Sequence, residues 1–118
     1  MPPTNVQKTI FQKILDREIK GEIVYEDDLC GAFRDLNPQA PVHILIVPRE
    51  AIPGIGSAEP GDEAVLGHLL YVARRVAEKE KLAKGYRLVI NQGDHGQQTV
   101  AHVHVHLLGG RPMTWPPG

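Results

Sequence analysis

The sequence predicts an α+β fold in which a five-stranded antiparallel sheet carries two helices. Two segments have apolar residues at helical spacing, and five short runs rich in β-branched or aromatic residues have the character of strands. The last two runs are joined by about eight to ten residues, too few for a parallel crossover of a dozen or more. The sheet is therefore antiparallel, at least in this half of the chain.

The N-terminal part predicts a polar lead followed by a helix. We expect little order over residues 1–8 and a single domain over 9–118, with a C-terminal tail at 111–118. Thr9-Ile10-Phe11-Gln12 matches a capping box, a threonine cap with glutamine three residues later. The apolar spacing that follows predicts a helix over 10–19, which stops before Gly21.

Three strands are expected next, at 22–27, 30–36 and 43–49, and then a loop over 52–61 that is rich in glycine and proline. The longer helix should begin near Gly61 or Asp62 and stop at Gly85. Its apolar stripe supplies a core face: Ala64, Val65, Leu69, Val72, Ala73 and Val76. A fourth strand over 86–91 and a polar turn over 92–99 lead to the last strand.

That last strand contains His102, His104 and His106 in alternation with Val103 and other apolar residues. Successive side chains of a strand face opposite ways, so the three imidazoles are predicted to share one face. Neutral imidazole is a nucleophile toward phosphorus, and its neighbours can donate protons near pH 7. Zinc is the competing use, with two of these histidines and a third imidazole or Cys30 as ligands.

Composition narrows the classes of function. The chain has 118 residues, 13 basic against 14 acidic side chains and a net charge of −1, so nucleic acid is not expected as a partner. No apolar run approaches the roughly 18 residues of a membrane helix, so no membrane partner is expected. A single cysteine, Cys30, fits a reducing compartment, and we expect a cytoplasmic protein.

The run His-Val-His-Val-His-Leu-Leu-Gly-Gly-Arg over 102–111 resembles the signature of the histidine triad (HIT) superfamily. Other stretches resemble its Hint branch of nucleotide-binding proteins: Thr9-Ile10-Phe11, Tyr25-Glu26-Asp27-Asp28, the segment 35–41 with His43, Leu66-Gly67-His68-Leu69, Lys84-Gly85-Tyr86-Arg87 and Trp115-Pro116-Pro117-Gly118. The resemblance covers nearly the whole chain from residue 9.

The resemblance implies a HIT fold paired into a homodimer whose sheets join. It also implies an enzyme that hydrolyses purine nucleoside 5′-phosphoramidates to an amine and AMP or GMP, without cofactor or metal. His104 would be the nucleophile and become transiently nucleotidylated, with its other ring nitrogen donating to a main-chain carbonyl. His102 and His106 would flank it, and His43 would complete the imidazole set.

The nucleoside is expected on residues whose chemistry suits it. Asp35 can accept hydrogen bonds from the ribose hydroxyls, although an aspartate before Asn-Pro can equally serve the turn. An apolar slot for the base would consist of Leu36, Ile10, Phe11, Ile14 and Phe33, which at these spacings are also ordinary core residues. Asn91, Gln97 and Thr99 would surround the phosphate, and Trp115 would reach the active site of the partner subunit.

Two positions depart from the family pattern. Gln97 stands where glycine or another small residue is usual, and Ala101 where an aromatic residue often precedes the triad, which leaves the leaving-group preference open. Two other functions stay open: a module that binds purine nucleotide without turnover, and a zinc-binding regulatory protein.

Overall fold

The structure is a computed structural model that describes residues 7–118. The elements run in the order α1 (Ile10–Leu15), β1 (Ile23–Glu26), β2 (Cys30–Arg34), β3 (Val42–Pro48), α2 (Glu63–Lys79), β4 (Tyr86–Val89) and β5 (Val105–Gly109). Single 3₁₀ turns at Ile55–Ser57 and Pro60–Asp62 precede α2. The strands form one antiparallel sheet in the order β1-β2-β3-β5-β4. The predicted α+β class, with five antiparallel strands and two helices, is confirmed.

The two helices pack on opposite faces of the sheet. On one face, α2 buries its apolar stripe against alternate residues of β2, β3 and β5, among them Ile44, Ile46 and Leu107. On the other face, α1 covers a smaller cluster: Phe11, Ile14, Leu15, Phe33, Leu45 and Val47. His43 and His106 alternate with the α2-facing residues along β3 and β5, so their side chains lie on the α1 face.

Both helices start as predicted but end earlier. The Thr9 capping box is present, yet α1 stops at Leu15 rather than residue 19, and α2 stops at Lys79, well before Gly85. Each ends in a Schellman motif whose left-handed residue is not glycine: Arg17 has φ 64° and Lys81 φ 62°. The paired bonds are present at both ends, for example Leu82 N–H to Ala77 O at 3.0 Å and Lys81 N–H to Glu78 O at 3.0 Å.

The strand that was expected to hold all three triad histidines begins only at Val105, so the prediction of a strand through His102 and His104 is wrong. The register explains this, since Val105 pairs with Ile46 and no further pair follows. The main chain instead turns to the loop after β3, where Val103 N–H donates to Ile52 O at 2.6 Å. β1, β2 and β4 are each shorter than predicted by two residues, whereas β3 has the predicted length but begins and ends one residue earlier.

Two further predictions concern the N-terminal lead and membrane-spanning helices. Of the lead predicted over 1–8, residues 1–6 lie outside the described part, while Lys8 pairs with Asp16 at 2.7 Å and also with Glu18. Within residues 7–118, no helix is both long and apolar enough to cross a membrane.

Candidate active site

His104 is held through one ring nitrogen and leaves the other for chemistry. Its side chain is buried, and Nδ1 lies 2.7 Å from the main-chain oxygen of His102. A carbonyl only accepts, so Nδ1 must carry the proton and Nε2 the lone pair in the neutral ring. This is the main-chain acceptor that the sequence analysis predicts for the nucleophile. Phe11 packs edge-on against the ring, 4.9 Å between centroids.

His106 and His43 form a chain of hydrogen bonds that starts at a main-chain amide. Gln39 N–H donates to Nδ1 of His43 at 3.0 Å, so His43 carries its proton on Nε2. That Nε2 lies 2.9 Å from Nδ1 of His106 and donates to it. Neutral His106 therefore has its proton on Nε2. Its ring centroid is 4.9 Å from that of His104, so the chain supplies a donor beside the His104 lone pair.

His102 is completely buried and both of its ring nitrogens are engaged. Nε2 donates to the main-chain oxygen of Pro48 at 2.7 Å, and Nδ1 accepts from the Thr9 hydroxyl at 2.6 Å. The same hydroxyl accepts from Gln12 N–H at 3.1 Å in the helix cap. With no free nitrogen, His102 positions the main-chain oxygen that holds His104 and has no place in proton transfer.

Burial keeps these imidazoles neutral. It lowers the pKa of His43, His102 and His104, and it lowers the pKa of His106 to about 4, where neighbouring His104 and His43 act in the same direction. Near pH 7 the lone pair on His104 Nε2 is therefore available for attack. The site then holds neutral N–H donors rather than imidazolium ions.

Asp35 lies just after β2, beside the histidine chain. Its Oδ2 is 3.5 Å from His43 Nε2, and its Oδ1 accepts from Asn37 N–H at 2.8 Å. One carboxylate oxygen of Asp35 thus stabilises the turn, as the alternative interpretation predicts, while the other faces the histidines. Its negative charge opposes the lowering of the pKa of His43, His104 and His106.

The apolar residues predicted for the base divide into two groups. Phe11, Ile14 and Phe33 are buried in the α1-face cluster, where Phe11 contacts both His102 and His104. Ile10 and Leu36 are exposed, at 47% and 80% of their surface. The buried three belong to the packing beneath the histidines, and the exposed two are open to solvent.

The loop over 92–99 is tied to the loop after β3. Gln98 accepts from Gly93 N–H at 3.0 Å and donates to Pro53 O at 2.7 Å. Thr99 and Ala101 are exposed, and with Gln92, Asp94 and Gly54 among others they line an open groove of about 380 Å³. Gln97 is exposed and has φ 64°, a left-handed conformation that favours glycine.

Asn91 follows β4, and Trp115 lies in the C-terminal tail. Asn91 is half-buried and lies beyond the end of β4 at Val89 rather than at the end of a longer strand. Trp115 is 81% exposed, and its ring lies 5.9 Å from the Arg87 guanidinium. Arg87 also donates to Thr114 O at 2.8 Å, which holds the tail against β4.

The groups that hydrogen-bond the histidine rings were not predicted from the sequence. Thr9 was identified only as a helix cap, and Gln39 and Pro48 contribute main-chain atoms, which no side-chain pattern can reveal. The suggestion that Cys30 completes a zinc site with the triad is wrong. Cys30 is buried among the residues that pack against α2, on the opposite face of the sheet from His43 and His106.

Comparison with known proteins identifies the family to which the chain belongs. The HIT domain matches residues 16–113, and the chain belongs to the HIT domain family. An uncharacterised HIT-like protein of Synechocystis is 55% identical over 112 residues, 95% of this chain and 98% of that protein. A 14 kDa zinc-binding protein of Zea mays is 56% identical, over 93% and 88% of the two chains. The adenylylsulfatase HINT1 of Arabidopsis thaliana is 54% identical, over 93% and 76%.

Solved structures agree as well. A HIT family hydrolase from Legionella pneumophila superimposes with a TM-score of 0.90 at 46% identity, covering 94% of this chain and all of that one. A HIT family hydrolase from Clostridium thermocellum superimposes with a TM-score of 0.88 at 42% identity, covering 92% and 96%. These relatives place the chain among histidine-triad proteins and support a hydrolase.

Proposed function

We propose that the chain hydrolyses purine nucleoside 5′-phosphoramidates through a nucleotidyl-histidine intermediate. The observation that carries the proposal is the 2.7 Å contact between His104 Nδ1 and the His102 carbonyl, which leaves a lone pair on Nε2. The lowered pKa of His104 keeps this lone pair unprotonated near neutral pH. The relatives named as hydrolases and as an adenylylsulfatase support phosphorus chemistry at this site.

In the first step, His104 Nε2 attacks the α-phosphorus and the bond from phosphorus to the amine breaks. Positive charge that develops on the ring is stabilised at Nδ1–H by the His102 carbonyl. His106 Nε2–H, fixed by His43, is the donor for a phosphate oxygen or the leaving nitrogen. The leaving amine needs a proton, which we assign to the hydrogen-bonded pair His106 and His43.

In the second step, water attacks phosphorus, the bond between phosphorus and His104 Nε2 breaks, and the proton that the water loses returns to the histidines that protonated the amine. The nucleoside monophosphate leaves, and the lone pair returns to the histidine. Gln97 and Thr99 are the residues that we assign to the phosphate oxygens, with Asn91 on the leaving-group side. The groove of about 380 Å³ beside Thr99 and Ala101 supplies room for a leaving group there.

For the nucleoside, we assign the ribose hydroxyls to the free oxygen of Asp35 and the base to exposed Ile10 and Leu36. Phe11, Ile14 and Phe33 support this surface from below. These assignments use an acceptor for two hydroxyls and an apolar surface for a planar ring, which are the interactions that such groups prefer.

We also propose a homodimer in which the sheets join through β4, with Trp115 of each chain reaching the site of its partner, and a cytoplasmic location. β4 is an edge strand, and Leu70, Tyr71 and Tyr86 are exposed by 46%, 54% and 40%. An exposed edge strand with apolar neighbours favours pairing with another strand. Light scattering after size exclusion should give twice the chain mass of 13.0 kDa, and a monomer at micromolar concentration would contradict this.

The test of the function is hydrolysis of adenosine 5′-phosphoramidate, with and without a metal chelator, by the wild type and by His104→Ala. We expect turnover that resists the chelator and disappears in the variant. Tight binding of AMP by the wild type without turnover would instead support the nucleotide-binding module. Zinc found by metal analysis of the untagged protein, without turnover, would support the zinc-binding regulatory protein, for which Asp35, His43 and His106 place ligand atoms within 4.8 Å of one another.

A second substrate class is favoured by the lowered pKa values. Sulfate leaves as an anion and needs no proton, so a site of neutral imidazoles suits adenylyl sulfate, the kind of substrate that the name of the Arabidopsis relative indicates. The same His104 attack would break the bond from phosphorus to the sulfate oxygen. Comparing kcat/KM for adenylyl sulfate and the phosphoramidate across pH separates the two, since only the amine requires protonation.

A further inference from the structure

A second group of side chains that can bind a metal lies on the α2 face of the sheet. No side chain of this group takes part in the proposed hydrolysis. Asp27 is in the turn between β1 and β2, Cys30 begins β2, and His68 is in the second turn of α2. One ligand atom from each, a carboxylate oxygen, Sγ and a ring nitrogen, all lie within 4.8 Å of one another. Asp27 Oδ2 and His68 Nε2 are 2.7 Å apart.

Asp27 is oriented for this role by contacts of its own. Its Oδ1 accepts from the main-chain N–H groups of Leu29 and Cys30, at 2.8 and 2.9 Å, and the Tyr25 hydroxyl donates to Oδ2 at 2.8 Å. Contacts of this kind hold a ligating carboxylate in place in metal sites. Oδ2, which faces His68 and Cys30, is the oxygen that an ion would bind.

The donor set suits zinc. One thiolate, one imidazole and one carboxylate are zinc ligands, whereas calcium and magnesium prefer oxygen alone. Bonds of about 2.0–2.3 Å in a tetrahedral site separate ligand atoms by roughly 3.3–3.7 Å, so the side chains need to shift by about an ångström at most. Zn²⁺ with an ionised Asp27 and Cys30 has no net charge, which suits a half-buried position.

The three ligating side chains differ in their exposure to solvent. Cys30 is completely buried, while the side chains of Asp27 and His68 are 26% and 29% exposed. An ion can therefore enter past the carboxylate and imidazole and reach the thiol beneath them. A water molecule would occupy the fourth, solvent-facing position.

We propose that Asp27, Cys30 and His68 form a zinc site that joins the β1–β2 turn to α2, separate from the histidine triad. On binding, Zn²⁺ forms a bond to Sγ and displaces the thiol proton to solvent, and it takes the lone pair of His68 Nε2, whose proton moves to Nδ1. No electron transfer is involved.

The experiment is titration of the untagged protein with Co²⁺, which reports a thiolate ligand by a sulfur-to-cobalt charge-transfer absorption. We expect this absorption to saturate at one equivalent and to disappear on addition of Zn²⁺. His68→Gln, at a half-exposed helix position, should weaken binding at least about 10-fold, and Cys30→Ala should abolish the absorption. His95→Gln, at an exposed loop histidine, is the matched control and should behave as the wild type.

Thermal unfolding with Zn²⁺ gives a second readout if Cys30→Ala fails to fold. Binding to the folded state alone raises Tm, so Zn²⁺ should raise the Tm of the wild type and of His95→Gln but not of His68→Gln. Absence of the charge-transfer absorption in the wild type would overturn the proposal. So would Co²⁺ binding that survives His68→Gln but is lost in His43→Gln, because the ion would then be at the histidine triad.

Discussion

At the reacting centre, each neutral histidine has a defined proton position because one ring nitrogen meets a group that can only donate or only accept. The Pro48 and His102 carbonyls and the Gln39 amide are such groups. They put a lone pair on His104 Nε2 and a proton on His106 Nε2, side by side. Nucleophile and donor are thus prepared by main-chain atoms, which a substitution of neighbouring side chains leaves in place.

Among the residues that the structure describes, Thr9 contributes a side-chain hydroxyl that hydrogen-bonds His102, and it also caps α1. Thr9→Val removes the hydroxyl with little change of shape. We expect kcat to fall roughly 10-fold with little change of KM, because a second-sphere contact is lost, and stability to fall by about 1 kcal/mol from the lost cap. Steady-state kinetics and urea unfolding measure both. Thr9→Ser keeps the hydroxyl and should behave nearly as the wild type, and a Ser variant as poor as Val would contradict this role.

Gln97 occupies a left-handed conformation, φ 64°, which favours glycine. A residue with Cβ in this conformation lowers the free energy of unfolding by about 1–2 kcal/mol. Glycine avoids this steric cost, but it loses more chain entropy on folding, which offsets part of the gain in stability. We therefore expect Gln97→Gly to raise the free energy of unfolding by about 0.5 kcal/mol. Gln97→Ala removes the same polar group but keeps Cβ, so its stability should not rise. Equal stabilisation by both variants would show that the side chain, not the backbone, is unfavourable.

At the scale of elements, both helix ends use the same device. Arg17 and Lys81 adopt the left-handed conformation of a Schellman motif, at the position that glycine usually occupies. Neither residue type predicts such a turn, so the sequence analysis extended both helices too far. The helix starts were predictable because their signals are local side-chain patterns: a capping box at α1, and for α2 the acidic residues in or near the first turn, Glu59, Asp62 and Glu63.

Lys81 offers a clean test of this explanation. Lys81→Gly should raise the free energy of unfolding by about 0.5–1 kcal/mol because it removes the steric cost of a positive φ. Arg74→Gly, about two turns earlier, exposed and in the interior of α2, should lower it by about 1 kcal/mol, since glycine in a helix interior is unfavourable. Chemical unfolding of the two variants measures the contrast, and a loss of stability in both would refute the Schellman explanation.

The sheet shows the same division between local and long-range information. Alternation of histidine with valine predicted that the triad side chains lie together, and glycine and proline placed the loops. The contact between His43 and His106 depends instead on the register of β3 against β5, with Leu45 opposite His106. β5 begins only at Val105 because the N–H group of Val103 donates to Ile52 O and does not pair with β3. Such pairings join residues far apart in sequence and leave no periodic signal.

For the whole molecule, the buried histidines predict how stability depends on pH. Burial lowers the pKa of His106 to about 4, and an unfolded histidine titrates near 6.5. Between these values the unfolded chain binds the proton more readily, so stability is full above about pH 6.5 and falls as pH drops toward about 4. The slope contributed by His106 is at most about 1.4 kcal/mol per pH unit, and His43, His102 and His104 act in the same direction.

Urea unfolding across this range gives the dependence directly. His106→Gln removes one such group and should have a shallower slope than the wild type, whatever its stability at neutral pH. A slope that is unchanged in this variant, or a stability that rises as the pH falls from 6.5 toward 4, would contradict the assignment of a neutral, buried imidazole.

In the proposed reaction, the nucleotidyl group is transferred to His104 and then to water. The stereochemical course at phosphorus distinguishes this path from direct attack by water. The substrate is an adenosine 5′-phosphoramidate that carries one sulfur on phosphorus in a single configuration, and it is hydrolysed in isotopically labelled water. Two in-line displacements, each with inversion, predict net retention in the product phosphorothioate. Net inversion would show that water attacks directly and that His104 forms no covalent intermediate.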